Sequence, residues 1–401
     1  MDVLVSPNPA GLENPYITML TGELEKCGDQ ITYFSSRALL KRHDVVHVHW
    51  PEYLVRWRRL SLTLLDIVKI IVLLRVARMR GSALVWSGHN LEPHEMRRPR
   101  LWGLYCRLFV SQVDLLISTG PGATEMLKRR YPRLTGVAAT VVPHGHYRGV
   151  YPVSRHAEGL RERLGLDGKR PVLLAFGQIR SYKNVPAIVR AWRQRSELGA
   201  QLVVAGKPSN PALGAEIRRE VAGCADVHLL FGFVADDDVS ALLDLSDVVL
   251  APYLPRSALN SGAAILALSL GKPVVLTDTP SARDLRALVG PRWVYLCDGS
   301  PEDAIKVAVR AAADERPASP DLTALDWAGL GRLVSEAYAD AVMLRASGGR
   351  VAGRRPVHPV GSGLRRDLRQ SWVEQPDADP VTRRKHEGAT DEGAPVAVPR
   401  R

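Results

Sequence analysis

Four cysteines are spread through 401 residues, Cys27, Cys106, Cys224 and Cys297, and no two stand at metal-ligand spacing. That scarcity argues against a disulfide framework or a structural zinc, and for a reducing compartment. No run of about 18 uncharged apolar residues occurs, so no segment reads as a membrane span. The opening MDVLVSPNP leads directly into a strand and a turn, without a signal-peptide pattern. No internal repeat is apparent apart from a likeness between the two halves. The arginines are not interleaved with aromatic residues and no nucleic-acid motif occurs, which sets nucleic acid aside as a partner. What is present is an ordinary globular composition, 46% hydrophobic, in a chain long enough for two domains and a tail. The net charge of +12 is uneven: residues 1–150 hold 20 basic and 12 acidic side chains, whereas 151–345 hold 23 of each. A basic first half suits an anionic substrate or a membrane surface.

Short apolar runs alternate with helical stretches along both halves. In the first, Asp2–Val5, Val45–His49, Ala83–Trp86, Leu115–Ser118 and Val141–Val142 read as strands, with a helix over 17–26. In the second, Leu173–Phe176, Gln201–Ala205, Val227–Leu230, Val248–Ala251, Val274–Thr277 and Trp293–Leu296 read likewise. Polar and glycine-rich residues follow most of these runs, the pattern of doubly wound parallel sheets that bind ligands beyond their strand C-termini. The charged stretch 155–170 reads as a linker, and DWAGLGRLVSEAYADAVMLR as a last helix with Asp326 as its N-cap. The Gly-, Pro- and Arg-rich 346–401 lacks the apolar residues to fold and is expected to be disordered.

The stretch LLAFGQIRSYKNVPAI is a strand, a loop holding Arg180 and Lys183, and a helix start. It is either an ordinary turn with solvated charges or a site where backbone N–H groups and two cations meet a diphosphate. Asn260-Ser261-Gly262-Ala263 opens another helix with small residues that allow close approach of an anion, or simply caps a core helix. The triplet Asp236-Asp237-Asp238 resembles a metal site, but it opens the helix DDDVSALL and reads as a cap, so no metal is expected. His89 and Asn90 follow the strand ALVWS, where ligands bind. Leu60–Arg80, apolar with arginines at its ends, is either a buried helix or one lying on anionic lipid.

The ordered set FGQIRSYKN, VVAGKP, LLFGFVADDDVSALLDLSDVVLAPY and GAAILALSLGKPVVLTD resembles family 4 glycosyltransferases of the GT-B fold. NPY, VHVHWPE, VWSGHNLEPHE and VVPHGHY resemble the bacterial polysaccharide and glycolipid subset. The resemblance covers roughly residues 1–345. It implies two Rossmann-like α/β domains facing a cleft: an acceptor domain over 1–165, a nucleotide-sugar domain over 166–328, and a helix over 329–345 returning to the first. It further implies a cytoplasmic enzyme, peripheral on the inner membrane face, that moves a hexose with retention from a nucleoside-diphosphate sugar to a polysaccharide or lipid-linked acceptor.

By that resemblance His89 touches the donor sugar, and Lys183 and Arg180 meet the departing diphosphate together with Ser261, Gly262 and Ala263, with neither cofactor nor metal. Gly206, Lys207, Phe233 and Val234 fall where the base is held. Asn14, Glu52, Asn90, Glu92, His94, Glu95 and His144 fall at the acceptor side of the cleft, where Glu92, His94 or Glu95 would orient acceptor hydroxyls or act as base. Two departures stand out. Gln178 occupies the place of an expected arginine, and ALNSGAAIL lacks the two glutamates, seven residues apart, that hold donor sugar and ribose in the family. A nucleotide-sugar 2-epimerase and an inactive GT-B-shaped partner protein are the alternatives.

Overall fold

The computed structural model describes residues 1–347 except 11, 13, 94–97, 196–197 and 255–258. The tail expected to be disordered lies, from residue 348, outside the described residues. The first half runs β1 (Asp2–Ser6), α1 (Tyr16–Lys26), β2 (Gln30–Tyr33), β3 (Val45–Val48), α2 (Leu60–Met79), β4 (Ala83–Ser87), α3 (Pro99–Val110), β5 (Leu115–Ser118), α4 (Pro121–Arg130) and β6 (Ala138–Val141). The second runs α5 (Ala157–Leu164), β7 (Val172–Phe176), α6 (Val185–Arg193), β8 (Gln201–Gly206), α7 (Pro211–Val221), β9 (Val227–Phe231), α8 (Asp236–Leu245), β10 (Val248–Ala251), α9 (Gly262–Ser269), β11 (Val274–Thr277), α10 (Pro280–Val289), β12 (Val294–Cys297) and α11 (Pro301–Ala313), with α12 (Trp327–Ala346) last.

Each half is a six-stranded parallel sheet, ordered β2-β1-β3-β4-β5-β6 and β12-β11-β10-β7-β8-β9. Central strands such as VLLAF and VVHV are buried along their whole length, which is why they read as continuous apolar runs. Apolar clusters cover both faces of each sheet. The order reverses between β1 and β3 in the first sheet and between β7 and β10 in the second. Such switch points leave a crevice beyond the strand C-termini, because the loops of the two neighbouring strands diverge to opposite faces.

The halves are tied together in several places. Helix α12 packs on α1 and on β3 and β4 of the first sheet, and the Asp326 carboxylate caps it at Ala328 N, 3.1 Å away. Asp284 of α10 accepts hydrogen bonds from the amides of Gly122 (2.9 Å) and Ala123 (3.3 Å) at the start of α4. The Trp327 indole donates to the His146 carbonyl at 2.6 Å.

Three local readings change. Edge strands β2 and the start of β6 escape the sequence pattern because their side chains are only part-buried, so no apolar run marks them. The presumed linker 155–170 contains α5, which packs on α8 and buries Leu160. The N-cap of α8 is Ala235, without a side-chain bond, and Asp236–Asp238 fill the first turn, where they act on the helix dipole rather than as a cap.

Candidate active site

One wall of the interdomain crevice comes from the second sheet's switch point. Strand β7 ends at Phe176, and Gly177 follows at φ +88°, a conformation that turns the loop sharply. The turn Ser181–Lys183 then carries the lysine inward, ahead of α6. Lys183 Nζ donates to the Phe176 carbonyl at 3.0 Å and lies 5.3 Å from the centre of the Tyr253 ring. Burial pushes its pKa down to about 8. Across the switch, beyond β10, Ser261 caps α9 by accepting from Ala264 N at 3.2 Å. The amides of the first helical turn have no partner inside the helix, so this end suits an anion.

The facing wall comes from the first sheet. His47, in β3, is consumed structurally by Tyr338 Oη (2.7 Å) and Ser87 Oγ (2.8 Å). Just beyond the strand ends, His49 Nδ1 and His89 Nε2 share a hydrogen bond of 2.9 Å, and Trp50 stacks on His89 with ring centres 4.9 Å apart. Burial holds His89 at about 3 and His144 at about 4, so both are neutral at neutral pH. His144 Nδ1 donates to the Gly145 carbonyl at 2.8 Å, which fixes its tautomer. Asn14 Oδ1 accepts from Tyr16 N (2.9 Å) and Tyr147 Oη (3.0 Å), which anchors the loop that carries it.

Between these walls lies a cavity of ≈ 570 Å³. It brings together His89, Lys183, Ser261, Gly262, Ala263, Asn14, Asn90 and His144, all named from sequence. It adds Trp50, Tyr182 and Tyr253, which sequence reasoning missed; Trp50 directly follows a strand end, the one signal that marked it. Among the described residues no carboxylate belongs to this lining, and the donor set of ammonium, amides, hydroxyls and neutral rings suits an anion. Among the described residues no group of three His, Cys, Asp or Glu is arranged to hold a metal ion.

Other named residues sit elsewhere. Arg180 is outside the cavity lining, its guanidinium held by Gln178 Oε1 at 2.6 and 2.9 Å. Gln178, in the place of the expected arginine, thus binds the arginine two positions on. Gly206 ends β8 and Lys207 follows it, and Phe233 and Val234 come after β9; none of the four belongs to the cavity lining, and Ile179 N donates to the Lys207 carbonyl at 2.9 Å. Glu52 and Glu92 line a smaller neighbouring cavity, where Glu92 is paired with Arg130 at 2.8 Å. His94 and Glu95 lie outside the described residues.

Comparison with known proteins agrees with this architecture. The family model described as Glycosyl transferases group 1 matches residues 170–314, the sheet that carries Lys183 and α9. A GDP-mannose:glycolipid 4-beta-D-mannosyltransferase of Xanthomonas campestris pv. campestris is 30% identical over 343 residues, 83% of this chain and 90% of that protein. The chain belongs to the group 1 glycosyltransferases. Solved structures share the GT-B fold of this glycosyltransferase. Anabaena HepE in complex with UDP-glucose has a TM-score of 0.56 at 13% identity, over 86% of this chain and 98% of that one. The catalytic domain of Starch Synthase IV from Arabidopsis thaliana, bound to ADP and acarbose, has a TM-score of 0.57 at 11% identity, over 86% and 99%. The glycosyltransferase with two parallel sheets expected from sequence is therefore the one found.

Proposed function

We propose that this glycosyltransferase moves mannose from GDP-mannose to a glycolipid acceptor, with the diphosphate on Lys183 and the α9 amides and the sugar against His89 and Asn90. The observation that carries the reading is the single cavity in which Lys183 and Ser261–Ala263 face His89 and Asn90 across the two sheets. Breaking the sugar–phosphate bond leaves extra negative charge on the diphosphate, and a pre-placed cation with helix N–H groups stabilises it as it forms. The identity to an enzyme named for GDP-mannose and a glycolipid supports that choice of donor and acceptor. Thermal shifts with GDP, UDP and dTDP test it: GDP should stabilise the protein most, and no shift with any of the three would sink the donor assignment.

A glycolipid acceptor is met at a membrane, and α2 supports such a contact. Leu64, Leu65, Val68 and Val72 form an exposed apolar stripe, while Thr63, Asp66, Ile67, Ile70 and Leu74 on the other side are buried. Arg58, Arg59, Lys69 and Arg75 are exposed around the stripe. No described helix is long and apolar enough to cross a membrane. We place this stripe on an anionic lipid surface, with the basic side chains at headgroup level. The double variant Leu65→Glu/Val68→Glu should lose about tenfold or more in co-sedimentation with phosphatidylglycerol vesicles, at about 0.8 kcal/mol per apolar carbon withdrawn. Equal sedimentation of variant and parent would remove α2 from the contact.

A further inference from the structure

We propose that Glu52 is the general base that takes the proton from the attacking acceptor hydroxyl, and that the transfer inverts the anomeric carbon. This rests on the donor reading above and assigns a catalytic residue to it. Glu52 lies in the turn Pro51–Leu54 directly after β3, at the first sheet's switch point. It lines a small cavity whose wall shares Trp50, His89 and Asn90 with the main cleft. The glutamate therefore stands on the first-domain side of the sugar position, with Lys183 and the α9 amides on the second-domain side. A direct displacement requires base and leaving group on opposite sides of the sugar, and the first sheet would supply the one and the second sheet the other.

Three observations single out this carboxylate. Among the described residues Glu92 is the other acid lining the small cavity and is engaged by Arg130, whereas Glu52 has no cationic partner. Among the described residues the main cavity has no carboxylate in its lining, so no carboxylate nucleophile or second carboxylate base is offered there. Two buried polar atoms of residues lining the small cavity, Trp86 Nε1 and His49 Nε2, have no hydrogen-bond partner. Native proteins rarely leave buried polar atoms unpaired, and sugar hydroxyls would pair them.

The step is balanced. Glu52 accepts the hydroxyl proton, the acceptor oxygen bonds to C1, and the C1–O bond to the β-phosphate breaks. Its electron pair leaves with the nucleoside diphosphate, beside Lys183. Retention on one face would instead let the departing phosphate take the proton and would need no such base.

Burial raises Glu52 to about 7, a useful strength at neutral pH, whereas His89 and His144 are too weakly basic for the task. The titratable and charged groups around it are Tyr53 on its own turn, His49 and His89 after β3 and β4, Tyr105 and Cys106 of α3, and Glu92 with Arg130. Arg180 faces Tyr53 from the second domain.

The test is hydrolysis of GDP-mannose without acceptor, where water takes the acceptor's place, together with GDP binding by calorimetry. The parent protein should release GDP at a rate that rises with pH to a plateau through an apparent pKa near 7, with β-mannose as the first product seen by proton NMR. Glu52→Gln, which keeps the shape and removes a buried charge, should lower that rate by about 100-fold and abolish the pH limb, with GDP affinity unchanged. Glu52→Asp should keep part of the rate and the limb. A Glu52→Gln rate within about fivefold of the parent, a retained limb, α-mannose as first product, or a parent that binds GDP and releases none would each overturn the assignment. A parent that binds no GDP strikes the donor reading itself, and the base with it.

Discussion

Lys183→Ala should lower transfer by about 10²–10³-fold, the loss typical of removing one preorganised group from the site of developing charge. Among the described residues Lys183 is the only cation in the lining of the interdomain cavity, and α9 contributes only partial charge from its amides. A buried ammonium pushed down to about 8 has the further consequence that donor binding is linked to a proton. The diphosphate favours the charged lysine, so its pKa rises in the complex. Below pH 8 the free enzyme already holds the proton and donor affinity is flat; above it the lysine must first be protonated, and affinity falls. The donor KM at pH 9 should therefore exceed that at pH 7 by about tenfold, a dependence that Lys183→Ala should abolish. Initial rates over a donor and pH grid measure both, and a Lys183→Ala enzyme with the parent's kcat/KM would remove the lysine from the leaving-group site.

Gly206→Ala should cost about 2–4 kcal/mol of stability and raise the donor KM by about tenfold or more. Gly206 ends β8 at φ +135°, where an L side chain is strained, and a Cβ there would run into the Gly177 carbonyl. Gly177 in turn sits beside Lys183: a Cβ added there would stand 3.2 Å from Nζ, closer than ordinary van der Waals contact. The two strand-end loops thus cross without room for a methyl group, and separating them moves the lysine. Urea unfolding and donor kinetics measure the two effects; a variant with unchanged midpoint and KM would show that the crossing does not position Lys183.

What was legible in the sequence has a common physical origin. Parallel strands buried on both faces are mostly apolar, so VLLAF stands out, as does VVHV, whose one polar residue, His47, is satisfied by Tyr338 and Ser87. Ligands bind beyond the C-termini of such strands, so Lys183, His89 and Ser261–Ala263 could be named from their places after a strand or before a helix. The elements that escaped, β2, the start of β6, and α5, are those whose burial depends on a neighbour far along the chain. Trp50, Tyr182 and Tyr253 escaped because an aromatic residue near a strand end has the composition of a core residue; only the second sheet, brought against the first, makes them a cavity wall.

The sequence by itself determined the two parallel sheets, the strand ends that border the cleft and the place of Lys183 just after one of them, since all three follow from local pattern. Tertiary structure alone decided which side chains share the cleft and which charges are already spent. Gln178 engages Arg180 from two residues away, but Arg130 reaches Glu92 across 38 positions, and Glu52 and Lys183 are titrated by burial that distant segments create. Desolvation and pairing depend on distances in space, which no spacing along the chain encodes.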